Sequence, residues 1–420
     1  MKAIMRNKEE MKDSGIEWCE RVPNSWCQIR LKDVYDFEKG KNAQIYTKDY
    51  IGLNQGIYPV YSGQTESGGI MGYINSYDYD LDECLFSTTV GAKVMTARIL
   101  MGKFSLSQNC LIMNRCGDIN NHFVFYMLHP LFEYEKSMIP TYMQPSLRIE
   151  DLKQYRFYAP ILKEQQAIAT YLDDRCSKID TIIAEAKASI EEYKELKQSV
   201  IYEAVTKGLD KNVEMKDSGV EWIGKTPLDW QIIRVKHLLT EVNNRSVQGL
   251  EEPLSVSQVL GIVPSSEISV ANPTSSYIGQ KVVEQHDMVF NRLKAHLGVF
   301  FESNYKGLVS PDYAVFRGNK RINPKFLEYL FHTPAAITEF KKYITGVGDG
   351  LRRLYTDDLF NISVSIPSIE IQNEIISTLN LKVQKIDVLV SEKQSLIEDL
   401  ESYKKSLIYE VVTGKRKVVE

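Results

Sequence analysis

The octapeptide MKDSGIEW at residues 11–18 is repeated almost unchanged as MKDSGVEW at residues 215–222. The same offset of 204 residues relates Trp26 to Trp230, so all four tryptophans of the chain lie in this duplicated leader. We interpret these tryptophans as packing anchors, because large rings at matched positions usually hold a short segment on a core. Repetition at so long a period indicates two copies of one architecture in a single chain.

A second matched segment follows each leader at an offset of 207 residues. It relates Pro160 to Pro367 and the tripeptide IYE at residues 201–203 to the same tripeptide at residues 408–410. The material between the two matched segments has diverged, and the change of offset indicates a net insertion of three residues in its second copy. The chain therefore alternates variable and matched segments.

Both matched segments are predicted to be long helices that begin just after the two prolines. Between Glu164 and Thr206 there is no glycine or proline, and residues that favour helices are abundant. Apolar residues alternate at three- and four-residue spacing over about five heptads in both copies, which is typical of a coiled-coil seam. Gly208 and Gly414 predict where the helices end. The predicted seam consists of Leu172, Ile179, Ile183, Ile190, Tyr193, Val200, Leu379, Ile386, Val390, Ile397, Leu400 and Leu407.

The predicted fold is a mixed α/β (α+β) fold in which two globular domains are joined by two long antiparallel coiled-coil helices, with a pseudo-two-fold internal repeat. One such helix alone would favour a dimerisation arm, whereas two equivalent helices in one chain can satisfy each other's seams. At 1.5 Å per residue, about 43 residues form a rod of roughly 60 Å, long enough to act as a ruler between two domains. The predicted parts are residues 1–158 (first domain with its leader), 159–210 (first helix), 211–365 (second domain with the repeated leader) and 366–420 (second helix).

Each variable domain has about 130 residues, enough for an α/β core of its own. Leu85-Phe86 aligns with Val289-Phe290 at the offset of 204, so we expect the two domains to share a fold. The predicted elements are strands at residues 56–61, 84–90 and 287–290, and helices at residues 122–134 and 324–331.

Composition excludes several classes of protein. The chain has 420 residues, of which 43% are hydrophobic and 25% charged, as in globular proteins of two or three domains. No stretch approaches about 18 consecutive apolar residues, and the N-terminus has no apolar signal region, so we expect a cytoplasmic protein. Six cysteines without ligand spacing are expected to be reduced thiols. A net charge of −4 argues against charge-driven binding of polyanions but leaves room for local basic surfaces.

Catalytic motifs are not found. There is no P-loop, and the glycine-rich segment at residues 346–350 lacks the flanking strand of a dinucleotide site. The segment Asn272-Pro273-Thr274 does not complete the Asn-Pro-Pro-aromatic motif of an amino-methyltransferase. The six histidines are scattered without metal-ligand spacing. We therefore predict no catalytic residue, no metal site and no cofactor in this chain, and expect a binding protein.

The duplicated leader, two diverged domains and two matched helices together resemble the specificity subunit of type I restriction-modification systems. The resemblance runs from Met11 to about Lys417. Further family-like segments are YSGQT at residues 61–65, FSLSQN at residues 104–109 and GLVSPDY at residues 307–313. The resemblance implies that each variable domain is a target recognition domain for one half of an asymmetric, bipartite double-stranded DNA site. It also implies that the paired helices set the spacer between the half-sites.

The same resemblance implies the partners. Two modification (methyltransferase) subunits would bring S-adenosylmethionine and dock on the outward faces of the helices. Restriction subunits would bring ATP, magnesium, translocation and cleavage. The competing interpretation is a two-headed coiled-coil adaptor whose domains bind ligands other than DNA.

Residues that contact DNA are chosen by their ability to donate to base edges or phosphates. Each of them is also compatible with an ordinary solvated or structural role, and both domains are nearly neutral, so we expect weak DNA binding by this chain alone. The candidates are Gln64, Thr65, Lys93, Arg98, Lys103 and Gln108 in the first domain and Asn291, Arg292, Lys294, Arg317, Arg352 and Arg353 in the second.

Overall fold

The structure is a computed structural model that forms two compact units. The first unit comprises Met1–Lys187 together with Ser395–Glu420, and the second comprises Ala188–Gln394. Each long helix passes from one unit into the other. The boundaries of the two units therefore differ from those of the four segments predicted from the sequence. The residues that the structure describes are 1–63, 66–91, 93–268, 276–344 and 353–419.

The first unit is built on a six-stranded sheet in the order β5-β10-β8-β9-β6-β7, antiparallel except for the β6–β9 pair. The helix α2 packs on β8 and β9. Its strands are β1 (Lys2–Met5), β2 (Met11–Ile16), β3 (Cys19–Pro23), β4 (Cys27–Arg30), β5 (Tyr35–Lys39), β6 (Gln55–Tyr61), β7 (Ile70–Ile74), β8 (Tyr79–Thr88), β9 (Ala97–Leu106), β10 (Cys110–Arg115) and β11 (Arg156–Ala159). Its helices are α1 (Lys48–Leu53), α2 (Asn121–Ser137), α3 (Ile149–Gln154) and the start of α4 (Leu162–Lys207).

The second unit is built on a four-stranded sheet in the order β15-β22-β19-β20. Its main core lies between this sheet and the following helices and is rich in phenylalanine. Its strands are β12 (Met215–Asp217), β13 (Lys225–Pro227), β14 (Gln231–Arg234), β15 (Leu239–Val242), β16 (Leu254–Ser257), β17 (Gly261–Pro264), β18 (Lys281–Val283), β19 (Met288–Asn291), β20 (Phe300–Glu302), β21 (Gly307–Val309), β22 (Tyr313–Gly318) and β23 (Ser363–Ile366). Its helices are α5 (Pro324–Phe331), α6 (Pro334–Tyr343), α7 (Thr356–Asn361) and the start of α8 (Ile369–Val412). The end of α8 and the strand β24 (Arg416–Val419), which pairs with β1, belong to the first unit.

The long helices α4 and α8 end where the glycines predict. Gly208 follows α4 with φ +82°, and Gly414 follows α8 with φ +72°. This left-handed conformation favours glycine, because a β-carbon would approach the adjacent carbonyl. The predicted helix ends are therefore confirmed.

One ion pair is made twice along the two helices. In the first unit Lys404 Nζ lies 2.6 Å from the carboxylate of Asp180, and in the second unit Lys197 Nζ lies 2.7 Å from that of Asp387. The offset of 207 residues converts each pair into the other with the helices exchanged. As the position on α4 rises from 180 to 197, the partner on α8 falls from 404 to 387, so the helices are antiparallel. The predicted fold, with its internal repeat, is confirmed.

The predicted seam residues lie on the least exposed stripe of each helix. Leu172 and its repeat equivalent Leu379 are fully buried. Tyr193 and Val390, nearer the middle of the helices, are half-buried. The other eight residues of the predicted seam are also buried or half-buried. Burial of apolar side chains at this spacing supplies the main stabilisation of the helix pair.

The tryptophans at the ends of the duplicated leaders anchor the domains in the same way. Trp26 and Trp230 are 1% and 2% exposed. Their rings meet Phe123 and Phe326 edge-on, with centroids 6.2 and 6.1 Å apart. The interpretation of this pair of tryptophans as packing anchors is confirmed.

A glutamine near the start of each long helix ties that helix to its domain. Gln165 Oε1 accepts from the backbone N–H of Asn120 at 2.9 Å, and its Nε2 donates to the carbonyl of Pro160. Gln372 makes the equivalent bond to Asn323, also at 2.9 Å. The frame around each variable domain is thus the same in the two halves of the chain.

The alignment of Leu85-Phe86 with Val289-Phe290 is wrong by one residue. Leu85 pairs with Met113 across β8 and β10, and the equivalent pair across β19 and β22 is Met288 with Phe316, so the offset here is 203. A slip of one residue moves every side chain of a strand to the opposite face. Phe86 therefore corresponds to Val289, and both side chains pack among residues of neighbouring strands rather than against the helices.

No helix in the described part of the chain is both long and apolar enough to cross a membrane.

Candidate nucleic-acid interface

The described candidates of the first domain lie on different strands and loops. Lys93 is exposed in the loop after β8, and Arg98 is half-buried on β9. Gln108 is exposed in the turn between β9 and β10. Gln64 and Thr65 lie outside the described residues.

Lys103 is held by its own domain. Its ammonium lies 4.7 Å from the ring centroid of Tyr77, 6.0 Å from that of Tyr58 and 3.9 Å from the carboxylate of Asp80. A hydrogen bond with Tyr77 raises the pKa of Lys103 above its usual value. The side chain is exposed, but its charge is already shared with these neighbours.

Two arginines chosen from the second domain are engaged inside that domain. Arg317 makes two parallel hydrogen bonds to Asp287, of 2.7 and 2.8 Å, and Asp287 is only 1% exposed. This contact raises the pKa of Arg317. Arg292 donates to Glu241 at 2.7 Å and to Thr356 at 3.1 Å. Arg317 thus neutralises the buried carboxylate of Asp287, and Arg292 bridges the half-buried Glu241 and Thr356.

Asn291 has a structural contact as well. Its side-chain oxygen accepts from two backbone N–H groups at the start of the 3₁₀ segment Arg292–Leu297, which is the contact of an N-cap. Lys294 is exposed and Arg353 is half-buried. Arg352 lies outside the described residues. Among the described candidates of this domain, Lys294 is exposed and makes no side-chain hydrogen bond or ion pair, whereas the exposed Arg317 is held by Asp287.

The structure brings together exposed polar side chains that sequence reasoning missed. Lys39, Gln44 and Arg148 line the same groove as Gln108, and the groove has a volume of about 790 Å³. These residues come from three separate segments of the chain, so no contiguous motif could reveal the cluster. The basic and amide-rich run KGKNAQ at residues 39–44 is the signal that could have drawn attention to one wall.

Several cysteine thiols of the chain are buried. Burial raises the pKa of Cys19, Cys84 and Cys110 to about 12, so these thiols stay protonated at neutral pH. Over the described ranges, no three side chains of histidine, cysteine, aspartate or glutamate are grouped so that they could hold a metal ion. The surface offers donors and charge for binding.

Comparisons with known proteins agree with this architecture. Residues 23–192 match the family model of the type I restriction modification DNA specificity domain. A type I specificity subunit of Mycoplasma pneumoniae is 26% identical over 84% of this chain and 87% of its own length. A type I restriction enzyme specificity subunit of Methanocaldococcus jannaschii is 24% identical over 94% of this chain and 95% of its own length.

A solved chain, described in work on complex assembly and conformational transition of the type I R-M system, has the same fold. It superposes with a TM-score of 0.67 at 12% identity and covers 94% of this chain and 99% of its own length. The chain thus carries a match to the type I restriction modification DNA specificity domain over residues 23–192, and it is similar over most of its length to type I specificity subunits.

Proposed function

We propose that this chain is the DNA specificity subunit of a type I restriction-modification complex, and that each unit reads one half of an asymmetric, bipartite site. The observation that carries the proposal is a repeated frame, made of the leaders and the long helices, around two domains that differ. The ion pairs Lys404–Asp180 and Lys197–Asp387 and the two buried leader tryptophans repeat almost without change. Two different readers on one repeated frame match a split target whose halves differ in sequence.

The paired helices set the distance between the half-sites in this proposal. A coiled-coil pair with a buried seam is stiff along its axis, and its length is set by residue number at 1.5 Å per residue. The chain contributes recognition and spacing, and it is not itself an enzyme. Catalysis is the role of its partners.

Two modification subunits are proposed to dock on two equivalent apolar patches. In the first unit Ile182 on α4 and Tyr403 on α8 are 45% and 51% exposed. In the second unit their repeat equivalents Leu389 and Leu196 are 38% and 48% exposed. Exposed apolar side chains at symmetry-related positions are typical of a surface that a partner covers. Two equal patches favour two copies of one partner.

The first patch faces away from its recognition domain. Tyr126 of α2 donates to Asp173 on α4 at 2.9 Å, and Ile182 lies nine residues further along α4. At about 100° per residue, nine residues turn half-way around the helix axis. The face that carries Ile182 is thus opposite the face that α2 contacts, which leaves it free for a separate protein.

The partners would also bring the chemistry. The modification subunits would bind S-adenosylmethionine, and the restriction subunits would bind ATP and magnesium and carry out translocation and cleavage. The complex would act on double-stranded DNA in the cytoplasm.

The test is a methylation map of DNA from cells that carry this chain with its modification subunit. We expect a split, asymmetric motif that disappears when this gene is deleted. A continuous motif, or no motif beside an active modification subunit, would favour an adaptor for another ligand.

Docking has a separate test. Ile182→Asp and Leu389→Asp each place a charge in one patch, and we expect each to remove one modification subunit from the complex in native mass spectrometry. Thr181→Asp, one residue away on α4, is the matched control and should leave two copies bound. Loss of neither copy in the double variant would contradict docking at these patches.

A further inference from the structure

A polar groove opens in the first unit where β5 ends and β10 begins. Its walls are the segment 39–45 after β5, the turn Gln108–Asn109 before β10, and the segment 146–150 around the start of α3. The groove has a volume of about 790 Å³ and is open to solvent. Asn109 holds a left-handed backbone conformation, with φ +65°, that turns the chain sharply at the rim.

Four side chains in this groove are exposed and free. In the described part of the chain, none of them makes a side-chain hydrogen bond or ion pair. They are Lys39, Gln44, Gln108 and Arg148.

Two neighbours in the groove are occupied and form its support. Asn42 donates to Asp78 at 2.6 Å, and the Lys41 ammonium lies 4.5 Å from the ring centroid of Tyr79. The groove thus combines side chains that are held in place by their own domain with donors that have no partner in it. A polar ligand needs both.

The charge of the lining favours an anion. Lys39, Lys41 and Arg148 are basic, whereas Glu150 is the acidic residue of the lining in the described ranges. The whole chain is acidic, with a net charge of −4, so this excess of basic residues is local. Local basic surface and amide groups in one groove fit a ligand with both phosphates and hydrogen-bonding edges.

The second unit has a groove on the equivalent wall, with different chemistry. The strand pairs that relate β10 to β22 give an offset of 203, so Ser107 and Cys110 correspond to Ser310 and Tyr313. Ser310 and Tyr313 line a groove of about 770 Å³. The described residues of its lining include no lysine or arginine and are rich in hydroxyl groups. The two grooves therefore share this one wall, while the rest of each lining comes from segments that do not correspond in sequence.

Resting on the proposed function, we propose that the first groove is the surface that receives the first DNA half-site. Lys39 and Arg148 contact phosphates, and Gln44 and Gln108 read base edges. A glutamine amide pairs best with the N6 and N7 edge of adenine, so we expect adenine positions in this half-site to depend on these two residues. The equivalent groove of the second unit reads the other half-site, and its different lining explains why the two halves differ.

The experiment uses the whole complex of this chain with its modification subunits. The double variant Gln44→Ala/Gln108→Ala is compared with wild type by methylation mapping in cells. The matched control is Gln55→Ala, an exposed amide on β6 of the same sheet outside the groove. We expect discrimination to fall by about 5- to 150-fold at one or two positions of one half-site. The other half-site and the spacer should be unchanged, and the control should keep the full motif.

The role of the two basic side chains is tested on the purified complex. Lys39→Gln/Arg148→Gln should weaken binding of specific and non-specific DNA alike. It should also lower the slope of log affinity against log salt by about one for each phosphate that the protein no longer neutralises. Lys2→Gln/Lys8→Gln removes the same two charges at exposed positions outside the groove and should leave the slope unchanged.

The outcomes separate this proposal from the function on which it rests. If wild type gives a bipartite motif but the glutamine variant keeps both half-sites, the groove is not the reading surface. An equal effect of the control variant would also overturn the assignment. If wild type itself gives no bipartite motif, the proposed function fails, and the groove proposal fails with it. Melting temperatures equal to wild type would show that the variants are folded.

Discussion

Alanine at Gly208 and at Gly414 should separate a conformational cost from a steric one at two equivalent helix ends. Both glycines have a left-handed backbone. A β-carbon at position 208 would lie 3.5 Å from the ring of Trp230, which is ordinary contact. At position 414 it would lie 2.4 Å from Pro23 and 3.0 Å from Trp26. The second substitution therefore needs the leader to move.

The expected magnitudes follow from these distances. A left-handed backbone costs a residue other than glycine about 1–2 kcal/mol, so Gly208→Ala should lower the free energy of unfolding by that amount. Gly414→Ala adds an overpacking cost of about 1–3 kcal/mol, for a total of about 2–5 kcal/mol. Removing the proline ring in Gly414→Ala/Pro23→Ala should restore part of the second cost.

Urea-dependent hydrogen exchange read by mass spectrometry is the suitable assay, because it reports each unit separately. Gly414 belongs to the first unit and Gly208 to the second. We expect each variant to weaken protection chiefly in its own unit, and more strongly for Gly414→Ala. Equal costs for the two variants, or no relief from Pro23→Ala, would refute the steric part of the reasoning.

Three further predictions concern the spacer, pH and a buried ion pair. Insertion of a short repeat at the junction 206–208 should lengthen the spacer in methylation maps while both half-sites stay unchanged, and an altered half-site would contradict the division of roles. Burial lowers the pKa of His332, so as the pH falls the unfolded chain takes up a proton at this histidine before the folded chain does. The free energy of unfolding should therefore decrease as the pH falls below about 6.5, and His332→Gln should make this decrease smaller in urea melts. Arg317→Ala leaves the buried carboxylate of Asp287 with only the backbone N–H of Glu284 as a partner, and it should cost about 1.5–3 kcal/mol in urea melts; an unchanged free energy of unfolding would contradict this structural role.

The sequence alone was sufficient for the architecture where the information is local or repeated. The duplicated octapeptide at residues 11–18 and 215–222 established two copies of one frame. The seam spacing and the glycines at 208 and 414 predicted the long helices and their ends, since helix periodicity and helix termination depend on neighbouring residues. The antiparallel pairing followed, because two equal seams in one chain can cover each other.

The strand register and the candidate site depended on the tertiary structure. The alignment at Leu85 was wrong by one residue, because a strand's register is set by its pairing partner rather than by its own sequence. Arg317 looked like a free donor until the fold placed a buried carboxylate beside it. Gln108 lies in the same groove as Lys39 and Arg148 because strand pairing brings together segments that are far apart in the sequence. The sequence by itself thus determined the repeated frame, whereas long-range packing alone decided which side chains remain free to bind.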